Sequence, residues 1–381
     1  MSVCIVYDCL FPYTIGGAER WYRNLAERLA AAGNDVTFLT LRQWERGTRP
    51  DVEGVHVVAV GPRMALYTDG GRRRLLPPVV FGLGVLGHLL RHGKRYDVVH
   101  TASFPYFSLL AAAAARGRRR FRVVVDWHEV WTLDYWREYL GPFAGRIGWW
   151  VQQACLRVPQ RAFCFSKLHE RRLLDLGVNG ELTRLEGQYA GPVAVVLPEP
   201  ARPAVVFVGR LIPEKRPTAL VPALALAQEQ IPGLRAEIYG DGPERENVLQ
   251  AISELGLDED VSVLGFVDAD VLERARSTAL CLVLPSSREG YGLVVVEAAA
   301  RGVPTVVVAG PDNAATELVE EGVNGTVAAS AAPEDLAEAI VRIDRAGRAL
   351  RDSTVEWFRH NAQRLSLERS LETMLETYAG A

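Results

Sequence analysis

Short apolar runs alternate with stretches of helical periodicity along the whole chain. In the first half, Val3–Tyr7, Val36–Thr40, Val55–Val60, Val98–Thr101, Arg122–Asp126 and Ala162–Phe165 read as strands. Helices fit between several of them, notably at Ala18–Ala32 and Phe104–Ala115. The second half repeats the pattern, with strands at Ala204–Val208, Ala236–Tyr239, Val261–Leu264, Leu280–Leu284 and Thr305–Val308. Its helices fall at Thr218–Gln230, Glu244–Leu255, Asp270–Ser277, Gly292–Arg301 and Glu334–Leu350. Such alternation predicts an α/β protein with parallel sheets and right-handed crossovers, once in each half. The proline- and glycine-bearing stretch Glu186–Pro203 is the natural linker between domains 1–190 and 191–354. A last helical segment, about Val355–Tyr378, exceeds what the second sheet needs, so 355–381 is expected to pack back on the first domain.

Composition agrees with two soluble cores. The chain has 381 residues, 49% hydrophobic and 23% charged, which is ordinary for a globular protein of two domains. Five scattered cysteines, Cys4, Cys9, Cys155, Cys164 and Cys281, form no C-x-x-C pair and no metal-ligand spacing. Reduced thiols in a cytoplasmic protein are expected, with no metal and no cofactor. The N-terminus reads as a strand and turn rather than a secretory signal. The longest apolar stretch, Leu75–Leu90, is interrupted by two prolines, three glycines and a histidine, so it is too short and broken to span a bilayer.

Charge separates the halves. Residues 1–190 carry 26 Lys and Arg against 17 Asp and Glu, whereas 191–381 carry 17 against 29. Basic clusters lie at Arg72–Arg74 and at Arg116, Arg118–Arg120 and Arg122, with Trp149 and Trp150 further on. These fit solvated loops; the sharper alternative is an anionic membrane surface or a phosphate-bearing acceptor. Nucleic acid is not an expected partner, since no helix-turn-helix, zinc or RNA-platform signature accompanies the charge.

Candidate chemistry gathers at the predicted strand ends. After the strand ending at Leu284 come Glu289, the turn Gly290-Tyr291-Gly292, Leu293 and then Glu297. Glu289 thus falls beyond a strand's carboxyl end, the ligand-binding edge of a doubly wound sheet. Backbone N–H groups from Gly290 to Leu293 would face an anion there. An exposed acid followed by a first-turn acid stabilising a helix reads the same spacing without any ligand. Arg210 and Lys215 follow Gly209 at another strand end, where a guanidinium fork and a mobile ammonium suit a diphosphate. Gly16 and Gly17 open a helix after the first strand and permit close backbone approach, or simply a tight turn. The turns at Gly240 and Gly265-Phe266-Val267 leave room for a nucleoside, although ordinary strand-to-helix turns look alike. His128, among aromatics in Trp127-His-Glu-Val-Trp131, suits a hydrogen bond to a sugar or a structural loop role.

Taken together in this order, these elements resemble the family 4 glycosyltransferases, retaining enzymes of the GT-B fold. The resemblance runs nearly the whole length, from Gly16–Glu19 through His128, Gly209-Arg210…Lys215, Gly240–Pro243, Gly265–Val267 and Glu289…Glu297 to Glu317…Gly325. It implies two Rossmann-like domains facing a deep cleft, with the C-terminal helix returning to the first. It further implies that Arg210 and Lys215 bind the donor diphosphate, Glu289 the transferred sugar and Glu297 the ribose. Gly17 would approach the phosphate or acceptor, His128 would face the sugar, and Val267 would lie beside the base. Family members are generally metal-independent, and retention would follow a front-face route. The expected reaction moves a hexose from a UDP- or GDP-sugar to a hydroxyl acceptor, lipid-linked or phosphate-bearing, at the cytoplasmic membrane face of a bacterium. GDP-mannose, UDP-glucose and UDP-N-acetylglucosamine all remain open as donors. The acceptor would be chosen by loops such as 61–80 and 130–145. Alternatives are a sugar-nucleotide 2-epimerase and a catalytically silent sugar-nucleotide-binding subunit.

Overall fold

The computed structural model describes residues 1–45, 47–68, 70, 73–119, 121–193 and 199–379, with the backbone alone for Arg118, Arg119 and Ala379. Arg72 and Arg120 of the basic clusters, and 194–198 of the linker, lie outside the described residues. Two compact units emerge: Met1–Thr68 with Arg72–Glu186 and Glu368–Ala381 form the first, and Gly187–Leu367 makes up nearly all of the second.

The first unit contains strands β1 (Ser2–Val6), β2 (Asp35–Leu41), β3 (Val55–Gly61), β4 (Val98–Ala102), β5 (Arg122–Trp127), β6 (Gln160–Cys164) and β7 (Gly180–Arg184). Its helices are α1 (Gly17–Ala31), α2 (Leu76–His92), α3 (Phe107–Arg119), α4 (Leu133–Leu140), α5 (Pro142–Leu156) and α6 (Lys167–Asp175). The strands form one parallel sheet in the order β3-β2-β1-β4-β5-β6-β7. β1, β4 and β5 are almost wholly buried, as central strands covered on both faces must be.

The second unit contains β8 (Ala204–Val208), β9 (Arg235–Tyr239), β10 (Val261–Gly265), β11 (Cys281–Leu284), β12 (Arg288–Glu289), β13 (Thr305–Val308), β14 (Asp312–Asn313) and β15 (Gly325–Ala328). Its helices are α7 (Leu220–Gln228), α8 (Arg245–Glu254), α9 (Ala269–Ser277), α10 (Leu293–Ala299) and α11 (Pro333–Leu365). The main sheet runs β10-β9-β8-β11-β13-β15, all parallel, and β12 pairs with β14 in a two-residue ladder. Phe207, Leu220, Leu224, Ile238, Val283, Val306 and Ile340 meet in its core.

Several elements differ from the periodicity reading. Leu75–Leu90 is mostly helix α2: its prolines stand in the first turn, where no N–H is needed, so they do not break it. The helix expected at Gly292–Arg301 is the shorter α10, because Gly292 takes a left-handed conformation outside it. The helix expected over Val355–Tyr378 is interrupted at Ser366, whose extended backbone separates α11 from α12 (Leu367–Ala379). α11 is itself interrupted at Gly347. Within the first unit α12 docks through Tyr378, whose hydroxyl lies 2.5 Å from His100 Nδ1, and through Glu368, which accepts from Arg28 on α1 at 2.8 Å.

Candidate active site

In each sheet, strand order reverses once: between β1 and β4 in the first unit, and between β8 and β11 in the second. Helices leave such neighbours on opposite faces, so a crevice opens beyond their carboxyl ends. The residues following β8 and β11 are those that the sequence singled out.

Past β8 the chain turns through Gly209 and the exposed Arg210, then forms a single 3-10 turn, Pro213–Lys215. Past β11 it runs through Ser286 and Ser287 into β12. The two loops are stitched together: Ser287 donates its N–H to the Glu214 carbonyl at 2.9 Å and its hydroxyl to the same oxygen at 3.2 Å. Lys215 Nζ consequently lies 2.5 Å from Glu289 Oε1. The same oxygen accepts from Ser286 Oγ at 2.7 Å, and the Glu289 side chain is largely buried. β12–β14 pairing fixes the Glu289 backbone opposite Asn313. Asn313 donates its amide to the Ser286 and Val308 carbonyls at 3.1 and 2.8 Å, tying the loop after β13 to the loop after β11. A carboxylate and an ammonium therefore share one rigid spot on the sheet edge.

Gly292 follows at φ 98°, and a Cβ there would stand 2.6 Å from Ala315 Cβ, so this turn needs glycine for conformation and for space. Tyr291 is buried, and Leu293 opens α10. Glu297 does not join Glu289. Its carboxylate accepts from Arg276 Nη1 on α9 at 2.6 Å, forming a separate pair. Val267 packs with Val294 against the cluster of Val206, Tyr239, Leu282 and Ala298 beneath the edge. At Gly240 a Cβ would meet the Gly209 carbonyl oxygen at 1.9 Å, so the missing side chain admits the neighbouring backbone.

The first unit presents its own residues. Gly16 caps α1 with extended backbone and no side-chain cap, and the space above Gly17 is open. His128, after β5, stacks on Phe165 with ring centroids 4.6 Å apart and an interplanar angle of 7°, while Tyr22 meets it edge-on at 5.7 Å. Its Nε2 is buried and has no hydrogen-bond partner among the described residues. Burial lowers its pKa, outweighing the opposing pull of Asp126 and Glu129, so the ring stays neutral near pH 7. Asp126 is fully buried and accepts from His100 Nε2 and Trp21 Nε1, each at 2.8 Å. Burial would raise its pKa, but the facing His100 and these hydrogen bonds prevail and hold it low.

Arg73, expected in a solvated basic cluster with Arg72 and Arg74, instead has a largely buried side chain. It pairs with Asp8 at the end of β1 and lies 5.3 Å over the Phe104 ring. Arg74 alone of the described pair is exposed. Ser286, Asn313, Arg276 and the Asp8–Arg73 pair escaped the sequence reading. Asn313, Arg276 and the Asp8–Arg73 pair act through partners distant in the chain, and Ser286, only three residues before Glu289, carries no pattern that marks its bond.

Comparison with known proteins supplies the context. Residues 16–185 match the model of a glycosyl transferase 4-like domain, and residues 195–352 match that of glycosyl transferases group 1. The D-inositol 3-phosphate glycosyltransferase of Nocardioides sp. is 28% identical, over 96% of this chain and 85% of that protein. The sucrose-phosphate synthase of Thermosynechococcus elongatus superimposes with a TM-score of 0.80 at 21% identity, over 100% of this chain and 98% of that one. Anabaena HepE in complex with UDP gives a TM-score of 0.75 at 19% identity, with complete coverage of both chains. With a family model on each parallel-sheet unit, this chain belongs to the GT4-type glycosyltransferases of GT-B fold.

Proposed function

We propose that this glycosyltransferase moves a hexose from a UDP- or GDP-sugar to a hydroxyl acceptor with retention of configuration and without a metal ion. The observation that carries the reading is the meeting of Lys215 and Glu289 at the β8–β11 reversal. Lys215 and Arg210 offer fixed positive charge where a departing diphosphate would gather negative charge, which lowers the barrier most in a dry site. Glu289, anchored by Ser286, would accept hydrogen bonds from hydroxyls of the transferred sugar. Glu297 would hold the ribose, oriented by Arg276, and Gly290 to Leu293 with Gly209 and Val267 would line the nucleotide. His128 and Gly16–Gly17 are assigned to the transferred sugar and to the phosphate or acceptor. A neutral imidazole with an unpartnered nitrogen suits a sugar hydroxyl, since it donates or accepts without adding charge.

In the proposed step the bond from the anomeric carbon to the phosphate oxygen breaks, and the acceptor oxygen bonds to that carbon on the same face. The acceptor proton passes to the leaving phosphate, so no enzyme nucleophile is needed. A lipid-linked or phosphate-bearing acceptor at the cytoplasmic membrane face fits the basic first half. Among the described residues no helix is long and apolar enough to cross a membrane. Supporting this reading, the Nocardioides relative is named for a phosphorylated acceptor and the Anabaena structure holds UDP.

The test is a panel of nucleotide sugars incubated with and without phosphorylated polyol and lipid-linked acceptors, following free UDP or GDP. Acceptor-dependent release, undiminished by a chelator, is expected. Release that a chelator abolishes would overturn metal independence. Epimerised sugar without release, or no turnover with tight donor binding, would favour the epimerase or the silent subunit.

A further inference from the structure

His128 sits in an aromatic box. Its ring lies flat on Phe165, and the edges of Tyr22 and Trp21 close around it, Trp21 at 6.5 Å and 83°. Trp21 also meets Phe165 edge-on at 4.9 Å. Such contacts hold an imidazole only as firmly as the surrounding rings are themselves held. A hydrogen-bonded chain holds Trp21. From α1 it donates its Nε1–H to Asp126 Oδ2 at 2.8 Å, and Asp126 Oδ1 lies 2.8 Å from His100 Nε2 on β4. On the other side of that ring, Nδ1 lies 2.5 Å from the hydroxyl of Tyr378 on α12.

The indole can only donate and the ionised carboxylate can only accept, so His100 Nε2 carries a proton toward Asp126. Trp21, His100, Asp126 and Tyr378 are all buried, so removing one leaves its neighbour without a partner. Apolar side chains of similar volume would fill this space at less desolvation cost. A fully satisfied polar network instead selects one arrangement of its members. Here the arrangement selected is that of the indole beside His128, whose own Nε2 is buried without a hydrogen-bond partner among the described residues.

We propose that Asp126, His100 and Tyr378 are positioning residues for sugar transfer: they lock Trp21, so that His128 presents its Nε2 to the transferred sugar in one orientation. The inference rests on the assignment of His128 to that sugar, and it gives the last helix, α12, a part in the chemistry. No local pattern in the sequence links Tyr378 to His128; only the buried chain through β4 and β5 does.

The experiment is a double-mutant cycle in the full chain, with Tyr378→Phe and His128→Ala made singly and together. Ring-nitrogen NMR of the histidines is read without donor, and turnover is read as UDP or GDP released from UDP-glucose or GDP-mannose. Tyr378→Phe removes one hydroxyl, and the signals of both His100 and His128 should move. Its kcat should fall about tenfold, because slight misplacement of a contacting group is costly, while affinity for UDP or GDP stays at the wild-type level. His128→Ala should lower kcat at least as far, and adding Tyr378→Phe should lower it no further. His100→Gln, whose amide can still donate to Asp126, should keep more of the rate than His100→Leu, and it serves if melting curves show Tyr378→Phe unfolded. Unmoved His128 signals in Tyr378→Phe, or a Tyr378→Phe penalty that persists beside His128→Ala, would overturn the inference. Full activity of His128→Ala would instead overturn the assignment of His128 to the sugar.

Discussion

Lys215 and Glu289 are each other's partner in this protein, and that pairing governs what substitution should do. Lys215→Ala removes the ammonium from the diphosphate position, so turnover should fall about a hundredfold or more. Glu289 is largely buried but keeps its hydrogen bond from Ser286, so the thermal midpoint should fall far less than the turnover. A steady-state assay beside a melting curve separates the two; large loss of stability with modest loss of rate would make Lys215 structural. Gly292 gives the opposite case. Gly292→Ala places a methyl against Ala315 at a left-handed φ, so chemical denaturation should report a loss of about 1–3 kcal/mol. His88 supplies a titration test. Burial first, then His92, Arg95 and His56, push it down to about 4. Its folded pKa lies below the unfolded one, so the unfolded chain binds more protons between them and stability should fall as pH drops from about 6.5 toward 4. His88→Gln should flatten that slope in denaturation curves taken across the window. An unchanged slope would place the effect elsewhere.

At the level of elements, α2 offers a paired test. A Cβ at Gly84 would stand 1.9 Å from the Val60 carbonyl oxygen, whereas at Gly87 it meets only the tip of Arg91 at 3.9 Å. Gly84→Ala should therefore cost about 2 kcal/mol or more as the helix lifts from β3. Gly87→Ala should add about 0.5–1 kcal/mol through helix propensity. Equal effects by denaturant melting would refute this packing. α2 also marks where the sequence was hard to read. Prolines and glycines signal a break in a linear pattern, yet here the prolines fall in the first turn and a glycine serves close packing. Central strands such as β5 and β11 were legible because burial on both faces leaves continuous apolar runs. β7, with the sequence GELTR, was not, because an edge strand has little to bury. The ligand-edge loops were legible through their glycines and charges. The partners that brace them were not: only folding brings Asn313 and Arg276 near, and Ser286, although three residues before Glu289, looks like any loop serine.

Across the whole molecule, each unit repeats one plan, a parallel sheet with a single reversal, and in the second unit the proposed diphosphate and sugar ligands follow the reversed strands β8 and β11. The acidic half carries the cationic site, so the positive charge of Lys215 and Arg210 is local and placed by loops rather than by net charge. The decisive measurement is calorimetric titration of UDP and of GDP into the wild type, Lys215→Ala and Arg210→Ala. One nucleotide should bind the wild type, and each variant should lose about tenfold or more in affinity. Unchanged affinity in both variants, with their folding intact, would contradict a diphosphate held at the β8–β11 edge.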